Sequence, residues 1–184
     1  VSARSRDKDR GVPLSSYDGH DDPVALAMRD DVEVFVELMG GSDGPAKAAV
    51  EAALDAGKDV VTANKALLAH HGQALAERAE ANGVTIRFEA AVAGGIPVMK
   101  ALTEGMAANE ATRVMGVMNG TCNYILTRME SAGLPYDEVF AEAHALGYLE
   151  ADPTLDVGGI DAGHKLALLA AVAFGTRPDF DAME

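Results

Sequence analysis

Hydrophobic positions in the first half of the chain form short β-branched runs, separated by longer stretches in which apolar residues recur at helical spacing. The short runs lie at residues 32–38, Asp59–Thr62 and residues 84–89, and their length predicts buried strands. The stretches between them predict helices over residues 45–56 and Lys65–Asn82, each followed by a glycine that ends it. Strands that alternate with helices over short connections predict an α/β fold with a parallel sheet and crossover helices.

The pattern changes in the second half of the chain. A helix is predicted over residues 97–107, and a β-branched run predicts a strand over residues 112–118. Three further helices are predicted, over residues 122–131, 135–146 and Ile160–Phe174. This half therefore predicts an α+β arrangement, and we place a domain boundary between residues 1–95 and residues 96–184.

Composition narrows the function classes. The chain has 184 residues, 48% of them hydrophobic, which is typical of a folded globular protein. Its formal net charge of −14 argues against a nucleic-acid binder, which needs a basic stripe, and against an anionic membrane surface as partner. A single cysteine excludes an internal disulfide and fits a reducing compartment, and no apolar run has the length of a bilayer span. We expect a cytoplasmic protein.

Candidate ligand positions follow the predicted strands, because ligands of open parallel sheets bind beyond the carboxyl ends of the strands. Gly40, Gly41 and Ser42 follow the first strand, and their small side chains allow a ligand to approach the backbone closely. Lys65 lies at the turn from the second strand into a helix, where amide groups and an ammonium suit an anion. An ordinary surface lysine at a helix start is an equally good interpretation of Lys65.

A second polar constellation lies at the start of the last predicted helix. Asp161 and Lys165 are four residues apart and therefore project from the same face of that helix. An exposed ion pair, which contributes little to stability, is one interpretation. However, the helix continues as an almost wholly apolar stretch over residues 166–172, and a glycine-rich loop with several acidic residues precedes it. These features favour a polar ligand site.

Three stretches of the chain carry a specific resemblance, in order and at fitting separations. They are Asp59-Val60-Val61-Thr62-Ala63-Asn64-Lys65-Ala66, Asn119-Gly120-Thr121-Cys122-Asn123-Tyr124-Ile125-Leu126, and the segment from Gly147 to Lys165. Together they resemble the homoserine dehydrogenases over essentially the whole chain. The resemblance implies a partial Rossmann-type domain followed by part of an α+β catalytic and dimerisation domain. It also implies an NAD(P)-dependent oxidoreductase that interconverts L-homoserine and L-aspartate β-semialdehyde in threonine, methionine and isoleucine biosynthesis.

The resemblance assigns roles to the polar residues. Lys165 is expected to donate the proton to the carbonyl oxygen in the reducing direction, with Asp161 orienting it, and Lys65 to lie between cofactor and substrate. Glu150 and Asp161 are expected to hold the amino group of the amino-acid substrate. The remaining substrate-binding positions are Thr121, Tyr148 and Asp156. Two ammonium groups near an aldehyde oxygen would stabilise the negative charge that hydride delivery builds there.

The same resemblance implies the cofactor and a metal. Arg4 would follow the second strand of the nucleotide fold, where a basic side chain favours NADP over NAD. The other cofactor-binding positions are Gly40, Gly41, Ser42 and Lys65. A sodium ion, structural in role, is expected at Glu89, Val92, Gly94 and Ile96, largely through backbone carbonyls. A homodimer or higher homo-oligomer is expected.

The resemblance further implies that a glycine-rich phosphate loop precedes Val1 and that more of the catalytic sheet follows Glu184. We therefore expect this chain alone to bind cofactor weakly or not at all, and to be inactive. Two alternatives stay open. One is a non-catalytic piece that only self-associates through residues 112–118. The other is a related dehydrogenase of a different small aldehyde, which would not need the acidic pair Glu150 and Asp161.

The histidines and the cysteine are given no catalytic role. The five histidines form no ligand set, and His164 is expected to pack or to lie at the surface. Cys122 follows a predicted helix start, where the helix dipole can lower a thiol pKa. Because no histidine with an orienting third group accompanies it, we interpret Cys122 as a small residue that lines the pocket.

Overall fold

The computed structural model describes residues 1–5, 8–149 and 153–183, and the contacts within it divide the chain into two units, Val1–Ala101 and Leu102–Glu184. The first unit contains a parallel sheet of three strands in the order β1-β2-β3. These strands are β1 (Val34–Glu37), β2 (Asp59–Thr62) and β3 (Ile86–Arg87). The predicted parallel sheet is confirmed.

Side chains alternate across β1 and β2, so that one face of these strands is buried and the other is exposed. In the register of the pair, Phe35 lies opposite Val60 and Glu37 lies opposite Thr62, and all four side chains are buried. The last strand is shorter than residues 84–89, because Glu89 already begins a helix. The sheet thus ends in two buried polar residues at the carboxyl ends of neighbouring strands.

Five α-helices flank or follow these strands in the described part of the first unit: α1 (Pro23–Ala27), α2 (Pro45–Asp55), α3 (Lys65–Asn82), α4 (Glu89–Ala93) and α5 (Val98–Lys100). Both crossover helices carry the expected end signals. Pro45 occupies the first turn of α2, where no amide hydrogen is needed, and Gly83 ends α3 with φ of 68°. Alanines and leucines of α2 and α3 form most of the core.

A π-helical turn, Ala101–Gly105, begins at the last residue of the first unit. The second unit contains four α-helices in its described residues: α6 (Gly120–Ala132), α7 (Tyr136–Ala145), α8 (Thr154–Val157) and α9 (Ile160–Phe174). A short connection joins α6 to α7. These two helices share a core of Ile125, Val139 and Ala143. The predicted helix over residues 97–107 is divided between α5 and the π-helical turn.

The prediction of a strand over residues 112–118 is wrong. In the part of the second unit that the structure describes, this segment forms neither helix nor strand and pairs with no strand. Met115 and Val117 are 79% and 74% exposed. A β-branched run supplies only half of what a strand requires, because its amide and carbonyl groups need a neighbouring strand. No helix in the described residues is both long enough and apolar enough to cross a membrane.

Candidate functional site

The loops that follow β1 and β2 are joined by a buried carboxylate. Glu37, the last residue of β1, is only 1% exposed. Its Oε1 accepts hydrogen bonds from the amides of Met39 and Gly40, at 2.6 and 3.1 Å. Its Oε2 accepts one from the hydroxyl of Thr62 on β2, at 2.7 Å. Three donors on two oxygens match an ionised carboxylate, which only accepts. Glu37 was not among the residues selected from the sequence.

Gly40 and Gly41 adopt φ angles of 81° and 87°, a backbone conformation that residues other than glycine rarely adopt. A Cβ atom at Gly40 would meet nothing within 4 Å, so the backbone of this loop borders open space. Ser42 donates a hydrogen bond to Asp43, which His71 of α3 contacts at 3.0 Å. This geometry fits the close approach of a ligand to the loop that was predicted from the sequence.

Asn64 links the second loop to the first. Its side-chain amide donates to the carbonyl of Gly41 at 2.8 Å, and its side-chain oxygen caps α3 through the amide of Leu67 at 3.0 Å. Lys65 is the first residue of that helix and is half-buried. Its position at a strand-to-helix turn on the carboxyl side of the sheet is as predicted.

The remaining candidates of the first unit are more exposed. Arg4 is exposed near the start of the chain, and Glu89 is exposed at the start of α4. After this helix, Gly94 and Gly95 form a tight turn that the amide of Ile96 closes on the carbonyl of Ala93 at 3.0 Å. The described residues contain no group of three or more histidine, cysteine, aspartate or glutamate side chains placed to hold a metal.

In the second unit, Asp161 and Lys165 form a largely buried ion pair. Lys165 Nζ lies 2.8 Å from Asp161 Oδ2, and their side chains are 24% and 9% exposed. The same ammonium donates to the carbonyl of Met118 at 3.0 Å. The interpretation as an exposed surface pair is therefore wrong. A partly desolvated ion pair costs free energy to form. Such pairs are common at ligand sites.

Asn119 connects this ion pair to a second carboxylate. One side-chain amide group donates to Asp156 Oδ1 at 2.7 Å and to Asp161 Oδ2 at 3.1 Å. The side-chain oxygen of Asn119 accepts from the amide of Cys122 at 2.8 Å and so caps α6. Asn119 lies in one of the three stretches that carry the family resemblance, but no role was predicted for it from the sequence. An asparagine three residues before the predicted helix was a signal that the helix begins earlier and is capped there, but nothing local indicated the two aspartates.

Cys122, Thr121 and Tyr148 lie around the same cluster. Cys122 Sγ donates to the carbonyl of Asp156 at 3.2 Å. Burial, and then the negative charges of Asp156 and Asp161, raise the pKa of the Cys122 thiol. The lowered pKa that a helix start suggested is therefore wrong, because burial and two nearby carboxylates disfavour the thiolate. The Thr121 hydroxyl donates to the carbonyl of Tyr148 at 2.9 Å.

The structure thus brings Asp156, Asp161 and Lys165 together and ties Thr121 to Tyr148. Glu150 lies outside the described residues. His164 is buried on α9 with its ring 4.4 Å from that of Phe180, in keeping with the packing role expected of it. Gly163 permits this approach, since a Cβ there would lie 2.8 Å from the Phe180 ring.

A parallel sheet with glycine-rich loops at its carboxyl end, followed by a helical unit with a buried lysine–aspartate pair, defines a class: two-domain proteins with a dinucleotide-binding α/β unit. Residues 2–89 match the family model "Homoserine dehydrogenase, NAD binding domain", and residues 97–184 match the model "Homoserine dehydrogenase". The chain belongs to the homoserine dehydrogenase family. The predicted family and the α/β fold are confirmed.

Individual homoserine dehydrogenases are similar to this chain in sequence. The homoserine dehydrogenase of Neisseria gonorrhoeae is 53% identical over 161 residues, which cover 88% of this chain and 37% of that protein. That of Mycobacterium tuberculosis is 49% identical over 181 residues, 98% of this chain and 40% of that protein. The chain therefore spans about two fifths of the length of these relatives.

Solved structures show the same similarity. A homoserine dehydrogenase from Thiobacillus denitrificans superimposes with a TM-score of 0.82 at 47% identity, covering 89% of this chain and 38% of that one. A hyperthermophilic archaeal homoserine dehydrogenase, solved in complex with NADPH, superimposes with a TM-score of 0.77 at 33% identity. The matched region covers 85% of this chain and 48% of the archaeal one.

Proposed function

We propose that the full-length gene product interconverts L-homoserine and L-aspartate β-semialdehyde by hydride transfer with a nicotinamide cofactor. Family membership supports the reaction class. The observation that carries the proposal is the buried pair of Lys165 and Asp161, joined to Asp156 through Asn119. This cluster offers both a proton donor and carboxylates that match a cationic amino group.

Lys165 supplies the proton in this proposal. A lysine ammonium carries three N–H bonds, and two of them are directed at Asp161 and at the carbonyl of Met118. The third can reach a substrate oxygen, so that Lys165 Nζ donates a proton to the carbonyl oxygen in the reducing direction. In the oxidising direction the neutral amine accepts the hydroxyl proton of homoserine. Asp161 orients Nζ in both directions.

The carboxylates select an amino-acid substrate. Asp156 and Asp161 lie on either side of the Asn119 amide, so a site beside them carries negative potential. That potential favours the α-ammonium of homoserine over a substrate without an amine. We propose that Glu150, Thr121 and Tyr148 complete this binding site, as the family resemblance implies.

A nicotinamide cofactor held by the first unit would supply or accept the hydride. The open backbone at Gly40 and Gly41, the neighbouring Ser42, and Lys65 at its strand-to-helix turn fit a dinucleotide at the carboxyl end of the sheet. We propose that Arg4 favours NADP through the 2′-phosphate, and that residues 1–95 form the cofactor domain and residues 96–184 the catalytic and dimerisation domain. The homoserine dehydrogenase solved with NADPH is consistent with a phosphorylated cofactor.

We also propose a sodium ion bound by the Glu89 carboxylate and the carbonyls of Val92, Gly94 and Ile96. Hard cations prefer such oxygen ligands. The four residues lie within eight positions of the chain, around the tight turn at Gly94 and Gly95. The role proposed for the ion is structural. Replacing sodium by a bulkier cation such as tetramethylammonium should lower the unfolding temperature, whereas an identical melting curve would contradict the site.

The exposed segment of residues 112–118 supports self-association. Its exposed Met115 and Val117, in a segment that pairs with no strand in the described residues, are typical of a surface that pairs with a second copy. We propose a homodimer or higher homo-oligomer of the full-length gene product. Sedimentation equilibrium tests this proposal, and a monomer at micromolar concentration would contradict it.

The test of the proposed function is oxidation of L-homoserine by the full-length gene product, followed by the absorbance of the reduced nicotinamide. The matched control substrate is γ-hydroxybutyrate, which has the same alcohol and carboxylate but no amino group. We expect turnover of homoserine with NADP and very little of the control. No turnover of homoserine would contradict the function, and equal turnover of both substrates would contradict the role of the acidic cluster.

A further inference from the structure

The buried carboxylate of Glu37 has no part in the roles proposed above. We propose that Glu37 is a positioning residue that holds the two loops facing the cofactor, residues 38–42 and residues 62–65, as one rigid unit. This inference rests on the proposed function, since it requires a nicotinamide cofactor at the carboxyl end of the sheet.

The hydrogen bonds that support the inference form a closed ring. Glu37 accepts from the Gly40 amide on one side and from the Thr62 hydroxyl on the other. The same Thr62 oxygen accepts from the amide of Asn64 at 2.9 Å. The Asn64 side chain then donates to the carbonyl of Gly41, which returns the ring to the first loop. Neither loop can move without breaking a bond to the other.

The chemistry of the ring favours a carboxylate at position 37. Every partner of the Glu37 side chain is a donor: two backbone amides and one hydroxyl. Glutamine would direct its own donor group at one of these donors, and alanine would leave all three without this acceptor. A buried ion is expensive unless it is well hydrogen-bonded, and an apolar side chain on a buried strand carries no such cost. A charged residue at this point is explained by the geometry it imposes on the loops.

An ordinary structural role is the competing explanation, and Asp59 provides the comparison. Asp59 begins the strand that Thr62 ends, and its Oδ1 accepts from the amide and the hydroxyl of Thr85 at 2.8 and 3.0 Å. It is thus a carboxylate with similar partners at the amino end of β2, although it is exposed where Glu37 is buried. Loss of Asp59 should affect folding and leave the cofactor loops intact.

The experiment compares Glu37→Gln, Thr62→Val and Thr62→Ser with the control Asp59→Asn in the full-length gene product. NADPH affinity is measured by fluorescence titration, and KM and kcat by steady-state kinetics with homoserine. We expect Glu37→Gln and Thr62→Val to raise the Kd and KM of the cofactor about tenfold, the scale of one lost hydrogen bond to a charged group. The KM of homoserine should stay within about twofold of the wild-type value, because these variants leave the contacts with homoserine unchanged.

Two further comparisons separate positioning from stability. Thr62→Ser restores the hydroxyl and should restore the cofactor Kd, and Asp59→Asn should leave that Kd unchanged. Amide exchange of Met39 and Gly40 should accelerate in Glu37→Gln and not in Asp59→Asn. Because Thr62→Val is nearly isosteric, it remains informative if Glu37→Gln fails to fold.

Failure of the inference is distinct from failure of the proposed function. A wild-type protein that binds NADPH with a Kd sensitive to Glu37→Gln, yet does not oxidise homoserine, would overturn the function and leave the inference standing. An active wild type whose Thr62→Val and Glu37→Gln variants keep the wild-type cofactor Kd would overturn the inference alone. So would an equal loss of affinity in Asp59→Asn.

Discussion

Asn119 performs three tasks with one side chain. Its oxygen caps α6, and its two N–H groups satisfy Asp156 and Asp161. The amide thereby separates two carboxylates that would otherwise repel each other at close range. This arrangement explains why an asparagine, rather than another residue that caps helices well, precedes the helix.

Replacing Asn119 by aspartate tests this explanation. Aspartate caps a helix as well as asparagine does, but it brings a third carboxylate to Asp156 and Asp161 in place of two donors. We expect a loss of about 1–3 kcal/mol in the free energy of unfolding, the usual cost of leaving buried acceptors without donors. Urea unfolding followed by circular dichroism measures it. Asn119→Ser, which caps without adding charge, should lose less, and an unchanged Asn119→Asp midpoint would refute the explanation.

Cys122 reports on the charges of the same cluster. Burial, Asp156 and Asp161 raise the pKa of its thiol, so little of the reactive thiolate forms near neutral pH. We expect slow alkylation by iodoacetamide in the folded chain and faster alkylation in Asp156→Asn, which removes one of the charges. The same thiol in urea provides the reference rate. Equal rates in folded and unfolded protein would contradict this account of the cluster.

Among the secondary-structure elements, α6 and α7 are linked by a polar contact as well as by their apolar core. Tyr124 on α6 donates to Glu142 on α7 at 2.7 Å, and Arg128 contacts the same carboxylate at 3.2 Å. The hydrogen bond from Tyr124, and then Arg128, lower the pKa of Glu142 below its ordinary value of 4.5. The bond to Glu142 raises the pKa of Tyr124 above 10.0.

These two shifts predict a pH dependence of stability on both sides of neutrality. The lowered pKa of Glu142 gives stability that is present above pH 4.5 and lost as the pH falls through the folded value. The raised pKa of Tyr124 gives stability that is present below pH 10.0 and lost as the pH rises through its folded value. The wild-type advantage over Glu142→Gln in urea unfolding should therefore shrink in acid and in strong base.

The control for this prediction is Glu138→Gln, which removes an exposed carboxylate from the same helix. Its difference from the wild type should show no comparable dependence on pH in the two windows. A Glu142→Gln difference that stays constant from acid to base would exclude the link between the helices as its source.

Prediction from the sequence succeeded where the deciding interactions are local. The bounds of α3 and α9 follow from signals at their ends, since Gly83 and Gly175 adopt the left-handed conformation that ends a helix. The segment 112–118 failed because a strand depends on a distant partner that composition does not reveal. The strand predicted over residues 84–89 was too long, because Glu89 begins α4 and does not end the strand.

At the scale of the whole molecule, the same distinction applies to the site. Asp161 and Lys165 were found because residues four apart on a helix must meet. The role of Asn119 was not found because its aspartate partners lie 37 and 42 residues away. Glu37 was missed because it occupies a strand position that normally holds an apolar side chain, and its partner Thr62 is 25 residues distant. Long-range hydrogen bonds between polar residues leave no periodic pattern in a sequence.

The account depends most on Lys165 as the proton donor, and one measurement tests this directly: steady-state kinetics of Lys165→Ala in the full-length gene product with homoserine and NADP. Because the proton transfer contributes in the transition state, we expect kcat to fall by about 10²- to 10⁴-fold with little change in KM. Turnover near the wild-type rate would contradict the assignment, and with it the chemistry inferred from the buried pair.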